Sequence, residues 1–208
     1  YAQEDMKKLI AYSSVAHMGF VTLGIFLVFN LLDSNTSAAI IGLEGAMVQM
    51  ISHGLISAAL FFCIGIIYKH SKSRLLKDNY GVSKFMPIFS FMMIFFLMAN
   101  SGLPGTSGFV GEFLVITSSL GSSFLFGFLA ATSLLLSASY SLKMGKTVLF
   151  GDNLKNTQGY IECSFNEKIV LTILIIFILY LGIVPDYLFK IIDQSVIGII
   201  ESLSAGKI

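Results

Sequence analysis

Five long stretches of the chain contain no Asp, Glu, Lys or Arg, and they constrain the fold more than any other feature. They are residues 9–32, 45–68, 87–111, 113–142 and 169–185. A membrane-spanning helix needs about 20 apolar residues, with a range of about 17–25, so each stretch can cross a bilayer. With 55% hydrophobic and only 12% charged residues, the chain lies outside the range of soluble globular domains. The sequence predicts an all-α integral membrane protein.

The five transmembrane helices are predicted at about residues 5–31, 41–69, 85–120, 122–148 and 167–184, within a single membrane domain covering 1–208. Residues 186–204 mix apolar side chains with Asp193, Gln194 and Glu201, a pattern typical of a helix at the membrane interface. The chain begins with Tyr1 and not with Met. We therefore expect a cleaved, truncated or split product of a longer protein.

The third predicted helix is interrupted. At about 1.5 Å per residue, residues 85–120 would form about 50 Å of helix, whereas the hydrocarbon core is about 30 Å thick. Pro104 lacks an N–H group and clashes with the preceding turn, and Gly102 and Gly105 weaken the helix further. The sequence therefore predicts a break near residues 101–105, although these glycines could also serve close helix packing.

Basic residues are distributed unevenly between the two ends of the predicted helices. Of the 13 Lys and Arg residues, all except Lys190 and Lys207 fall on the side where the first helix starts. The positive-inside rule places the basic side in the cytoplasm or the mitochondrial matrix. We therefore expect the N-terminus on that side and the C-terminus in the periplasm or the intermembrane space.

Three ionisable residues, His17, His53 and Glu112, lie within the predicted helices. A charge at the bilayer centre costs about 2.5 kcal/mol or more, so each group needs a partner, water or a change of protonation. The acid lies about two turns beyond the break, which favours a proton relay with the histidines; purely structural hydrogen bonding is the alternative. Lys143 could extend its stem to the basic side or lie at the inner end of the relay.

Gln49, His53 and Ser57 are spaced by four residues in the second predicted helix. This spacing puts them on one polar stripe of a helix that is otherwise apolar. Lipid tolerates such a stripe poorly, so we expect it to face the broken helix.

The sequence shows no means of redox chemistry. Cys63 and Cys163 lack metal-ligand spacing, and no cysteine cluster could hold an iron–sulfur centre. No glycine-rich phosphate loop follows a strand. We therefore expect no cofactor and no metal on this chain, and no nucleic-acid partner.

Three motifs resemble the M-type antiporter-like subunit of respiratory complex I, also called NADH dehydrogenase subunit 4. They run from Glu4 to Gly19, from Met47 to Gly54 and from Ser101 to Phe113. The resemblance covers nearly the whole chain. It implies the C-terminal part, the tenth to fourteenth helices, of a fourteen-helix fold with two inverted five-helix repeats that each contain a broken helix.

The resemblance also implies site residues and a function. Glu112 would be the terminal protonatable residue of the second half-channel, with His17 and His53 in the polar axis leading to it. The chain would belong to a proton-translocating membrane-arm subunit of NADH:ubiquinone oxidoreductase and carry out no redox chemistry itself. NADH, FMN, iron–sulfur clusters and quinone would bind to other subunits.

Partners and location follow from the same resemblance. The partners would be the lipid bilayer, the polypeptide that supplies the preceding helices, and the neighbouring antiporter-like subunits. The location would be the mitochondrial inner membrane or, alternatively, a bacterial inner membrane. Two other functions stay open: a subunit of a multi-subunit sodium/proton antiporter, and a scaffolding fragment without its own proton path.

Overall fold

The computed structural model describes residues 2–151 and 160–206 of the chain. This part contains seven α-helices: α1 Met6–Leu31, α2 Thr36–Ser71, α3 Pro87–Asn100, α4 Ser107–Ser122, α5 Phe124–Phe150, α6 Phe165–Ile183 and α7 Asp186–Ser204. Two short 3-10 turns, Leu76–Asp78 and Val82–Lys84, lie between α2 and α3. The predicted all-α membrane architecture is confirmed. Lys155 and Lys207, which entered the comparison of basic residues, lie outside the described residues.

Four helices, α1, α2, α5 and α6, are each long and apolar enough to cross a membrane. The helices α3 and α4 have only 14 and 16 residues. At about 1.5 Å per residue, each is shorter than the hydrocarbon core of about 30 Å. Together they form the interrupted third element that the sequence predicted, separated by the non-helical residues 101–106. The segment Leu76–Lys84, which precedes α3, is bent from it by 118°.

The start of α2 differs from the prediction. The helix begins at Thr36 and not near residue 41, because the side chain of Asn35 accepts a hydrogen bond from the backbone N–H of Ala38 at 3.1 Å. This contact satisfies one of the donors that a helix start leaves without a partner. The predicted helices 5–31 and 41–69 left Asn35 between them, whereas it caps the start of α2.

The break between α3 and α4 has a defined backbone structure. The N–H of Leu103 donates to the carbonyl of Met98 at 3.1 Å, and the N–H of Gly102 donates to the carbonyl of Ala99 at 3.2 Å. This pair of bonds is the Schellman pattern, which requires a left-handed backbone at the residue after the C-cap, and the C-cap of α3 is Ser101. Gly102 has φ +76° and meets that requirement, and Gly105 has φ +89°.

The two ends of α3 are both in contact with the α6 region. At its start, the N–H groups of Ile88 and Phe89 donate to the carboxylate of Glu162 at 3.0 and 3.2 Å. Beyond its other end, the backbone of the break approaches α6 so closely that a Cβ on Gly182 would lie 2.4 Å from the carbonyl oxygen of Gly105. The α6 region therefore contacts both the first turn of α3 and the break.

The helix α2 is central in the bundle and packs against α1 and α4 along much of its length. The C-terminal helix α7, predicted as an amphipathic interfacial helix, buries one face, with its buried residues spaced by four: Leu188, Ile192, Val196 and Ile200. These residues pack with apolar side chains of α1 and α2, among them Leu31, Ala39 and Val48. Such spacing is typical of one apolar helix face.

Candidate functional site

The acid in α4 forms a buried pair with a histidine of α1. Oε1 of Glu112 lies 2.7 Å from Nδ1 of His17, and the two side chains are only 2% and 5% exposed. The contact is short enough for a proton to be shared between an acid and an imidazole. The structure therefore brings two of the three predicted relay residues into direct contact.

Close packing of α4 on α2 places a second side chain on the same oxygen. Nε2 of Gln49 donates to Oε1 of Glu112 at 3.2 Å. A Cβ on Gly111 would lie 2.8 Å from both the Cα and the backbone N of Gln49. Only glycine permits this approach, and it brings the neighbouring acid within reach of the Gln49 amide.

The other carboxyl oxygen of Glu112 faces the helix break. Oε2 is buried and has no hydrogen-bond partner among the described residues. A Cβ on Gly102 would lie 2.8 Å from this oxygen. One oxygen is thus held by His17 and Gln49, and the second is directed at the unwound backbone.

His53 lies next to His17 on the other side of the pair. The centroids of the two imidazole rings are 5.2 Å apart, and the rings are tilted by 32°. Gln49 of the same polar stripe contacts α4, as the spacing predicted, whereas His53 contacts α1. A neighbouring residue, Ser52, donates to the carbonyl of Ser107 at 3.0 Å and binds the first residue of α4.

A tyrosine that sequence reasoning did not select joins this cluster from α5. The hydroxyl of Tyr140 lies 3.4 Å from Nε2 of His17, 2.6 Å from the hydroxyl of Ser13 and 2.9 Å from that of Ser137. The sequence holds one signal for it: Ser137, Tyr140 and Ser141 share one helical face within residues 113–142, a stretch without charged residues. A polar stripe on an apolar helix is expected to face other helices.

The last residue of α3 ties the hydroxyl groups together. The amide nitrogen of Asn100 donates to the hydroxyls of Ser13 and Ser141 at 3.2 and 3.1 Å. The backbone carbonyl of Asn100 accepts from the hydroxyl of Ser137 at 2.9 Å. Side chains of α1 and α5 are therefore fixed to the end of α3, directly before the break.

Lys143 lies three residues beyond Tyr140 on α5 and is half-buried. It lines a groove of about 930 Å³ together with Lys146, Tyr80 and Ser141, the serine whose hydroxyl accepts from Asn100. Elsewhere, across residues 2–151 and 160–206, the structure shows no group of three or more His, Cys, Asp or Glu side chains that could hold a metal ion.

An apolar helix bundle with an acid and an imidazole paired beside an interrupted helix is typical of transporter-like membrane proteins, whose ion sites lie at discontinuous helices. The family described as "NADH:quinone oxidoreductase/Mrp antiporter, TM" matches residues 1–137. The chain belongs to this family, and the resemblance found in the sequence is confirmed.

Two curated relatives cover almost the whole chain. The NADH-quinone oxidoreductase subunit M of Rhodobacter capsulatus is 42% identical over 205 residues, covering 98% of this chain and 38% of the relative. The NADH-ubiquinone oxidoreductase chain 4 of Marchantia polymorpha is 38% identical over 200 residues, covering 96% of this chain and 38% of the relative. The chain thus spans less than half the length of these relatives.

A solved structure shares the fold. A chain of respiratory complex I from Thermus thermophilus with bound NADH superposes with a TM-score of 0.83 at 24% identity. The match covers 98% of this chain and 40% of that chain. At this identity the likeness shows the fold alone.

Proposed function

We propose that this chain forms the proton-transferring C-terminal part of a membrane-arm subunit of respiratory complex I. The names of the relatives support membership of an NADH:quinone oxidoreductase. The observation that carries the proposal is the buried contact of 2.7 Å between His17 and Glu112 beside an interrupted helix. Burying an isolated ionised carboxylate in the membrane costs free energy, whereas a carboxylate that exchanges a proton with a neighbouring imidazole is stabilised by that partner.

Within this proposal, the residues have distinct roles. Glu112 binds and releases the proton, His17 accepts a proton on one ring nitrogen and releases one from the other, and His53 is the next imidazole along the axis. Gly102, Pro104 and Gly105 keep the backbone unwound at the break, which Oε2 of Glu112 faces. The groove that Lys143 lines is not lined by His17, Glu112 or Tyr140, which supports a role for this lysine outside the relay.

The proposal extends to the rest of the complex. NADH, FMN, iron–sulfur clusters and quinone bind to other subunits, and quinone reduction there drives proton movement here. Partners are the polypeptide that supplies the preceding helices, the neighbouring antiporter-like subunits and the lipid of a mitochondrial or bacterial inner membrane. The excess of basic residues supports an N-terminus in the matrix or cytoplasm and a C-terminus on the opposite side.

Replacement of the acid by its neutral isostere tests the function. We expect Glu112→Gln, in the complete complex reconstituted into vesicles, to lower proton translocation about tenfold or more while the complex still assembles, since a positioned proton-transfer group contributes about 10²–10⁴. Glu201→Gln is the matched control, because Glu201 is exposed on α7. Proton translocation equal to that of the control would overturn the proposal.

The same vesicles separate the two alternative functions. A sodium/proton antiporter subunit predicts that proton movement requires sodium and persists without NADH oxidation. A scaffolding fragment predicts normal translocation in Glu112→Gln once the complex has assembled. Complex I membership predicts translocation that depends on NADH oxidation and is independent of sodium.

A further inference from the structure

A small cavity lies beside Ser13 and Tyr140. It has a volume of about 180 Å³ and is lined by Gln3, Leu9, Tyr12, Ser13 and Tyr140. Since a water needs about 10–15 Å³ of such volume and two or more polar partners, the cavity has room for several waters. Gln3 precedes α1 and Leu9 and Tyr12 lie in its first two turns, so the cavity extends toward the N-terminal, basic end of α1.

We propose that Tyr140 and Ser13 form a hydroxyl branch through which protons pass between this cavity and His17. This inference rests on the proposed function and adds to it an access route and two proton-carrying residues. The route consists of cavity water, the Ser13 hydroxyl, the Tyr140 hydroxyl and Nε2 of His17. The protein contacts along it are 2.6 Å from Ser13 to Tyr140 and 3.4 Å from Tyr140 to His17.

The chemistry of these groups suits proton transfer. A hydroxyl both donates and accepts, so it can receive a proton from one neighbour while releasing its own to the next. An excess proton carried by the cavity water as H₃O⁺ binds the Ser13 oxygen and leaves H₂O, the Ser13 proton moves to Tyr140, and the Tyr140 proton moves to Nε2 of His17. The imidazole then releases its Nδ1 proton to Oε1 of Glu112. One proton enters and one reaches the acid, both hydroxyls are regenerated, and His17 is left with its proton on Nε2, so it returns to the Nδ1–H tautomer before the next transfer.

Asn100 keeps the branch in place without carrying the proton itself. Its side-chain amide nitrogen donates to the hydroxyls of Ser13 and Ser141, and its backbone carbonyl accepts from the hydroxyl of Ser137. Because an N–H of Asn100 donates to the Ser13 oxygen, the O–H of Ser13 can donate to the Tyr140 hydroxyl at 2.6 Å; Oδ1 of Asn100, at 3.5 Å, is a more distant acceptor. Asn100 is therefore a positioning residue.

Removal of single hydroxyls tests the branch. In vesicles containing the complete complex, we expect Tyr140→Phe and Ser13→Ala each to lower the rate of proton translocation about tenfold or more, since a positioned proton-transfer group contributes about 10²–10⁴. Ser13→Thr, which keeps a hydroxyl, restores the rate. Ser14→Ala is the matched control for Ser13, because the Ser14 hydroxyl donates to the carbonyl of Ile10 in its own helix at 3.3 Å. Tyr180→Phe, at an exposed tyrosine of α6, is the control for Tyr140.

Two outcomes distinguish this inference from the proposed function. Loss of translocation in Glu112→Gln, together with control-like rates in Tyr140→Phe and Ser13→Ala, would overturn the branch and leave the proposed function standing. Normal translocation in Glu112→Gln would overturn the proposed function itself. If Tyr140→Phe does not assemble, the comparison of Ser13→Ala, Ser13→Thr and Ser14→Ala decides, because loss in Ser13→Ala without rescue by Ser13→Thr shows a purely structural role.

Discussion

Nδ1 of His17 lies 2.7 Å from Oε1 of Glu112, although 95 residues separate them in the chain. The contact joins the middle of α1 to the second turn of α4, immediately after the break. Because both side chains are buried and each is the other's hydrogen-bond partner, the two act as one unit. The effects of changing them should therefore not add.

A double-mutant cycle tests this unit. We expect His17→Gln and Glu112→Gln each to lower proton translocation. The double variant should translocate protons no more slowly than the more impaired single variant, since the effects of residues that act together are strongly non-additive. The measurement is translocation per NADH oxidised in vesicles. Multiplying losses in the double variant would show that the two residues act independently.

Two glycines of the break allow a direct comparison. Gly102→Ala and Gly105→Ala both place a Cβ at positive φ, which costs about 1–2 kcal/mol. Only the Cβ at Gly102 meets the acid, 2.8 Å from Oε2 of Glu112, whereas the one at Gly105 has nothing within 4 Å. We expect similar losses in thermal stability and a loss of proton translocation in Gly102→Ala alone. Equal translocation in the two variants would contradict the described position of the carboxyl group.

The contact between α4 and α2 depends on Gly111. A methyl group there meets the backbone of Gln49 at 2.8 Å, and backbone cannot move aside as a flexible side chain does. We expect Gly111→Ala to destabilise the protein by about 1–3 kcal/mol, as overpacked cores do. Gly54→Ala on α2, with nothing within 4 Å, is the control and should be neutral or gain up to about 1 kcal/mol from helix propensity. Thermal unfolding of the two variants, measured side by side, checks the difference.

The carboxylate of Glu162 caps α3 from a distant part of the chain. Burial raises the pKa of this group, but hydrogen bonds from the N–H groups of Ile88, Cys163 and Phe89 outweigh burial and hold the pKa below its ordinary value of 4.5. A lowered folded-state pKa means that the carboxylate stabilises the fold above about pH 4.5 and that this contribution is lost as the pH falls through the folded-state value.

We expect Glu162→Gln to lower stability at neutral pH by about 1–2 kcal/mol, the cost of losing a helix cap. At a pH below the folded-state pKa of Glu162, the difference from the unmodified protein should shrink. Glu201→Gln, at an exposed acid, is the control. A stability difference that stays constant from neutral to acidic pH would exclude the ionised cap.

The sequence was sufficient to predict the helices because their signal is local. Uncharged runs mark the spanning helices, and Pro104 with its neighbouring glycines marks the break, since each effect arises within a few residues. The start of α2 was missed because Asn35 was interpreted as part of a loop. Its role as a cap depends on a hydrogen bond to Ala38 that residue type alone does not fix.

The candidate site was predictable only in part. Ionisable residues in a membrane segment are rare, so His17, His53 and Glu112 could be selected from the sequence. Tyr140 was not selected, because the neighbouring Ser137 and Ser141 are a weak signal and the contact of Tyr140 with His17 spans 123 residues. Glu162 was equally hidden, because its partners in α3 lie more than 70 residues away.

The double attachment of α3 has a mechanical consequence. Glu162, just before α6, holds the first turn of α3, and Gly182, near the end of α6, touches the carbonyl of Gly105 in the break. The α6 segment thus contacts α3 at its first turn and again at the break beyond its last turn. If a neighbouring protein displaced α6, the backbone of the break beside Glu112 would shift with it. The surroundings of the Glu112 carboxyl group would then change without any contact between the neighbour and the acid.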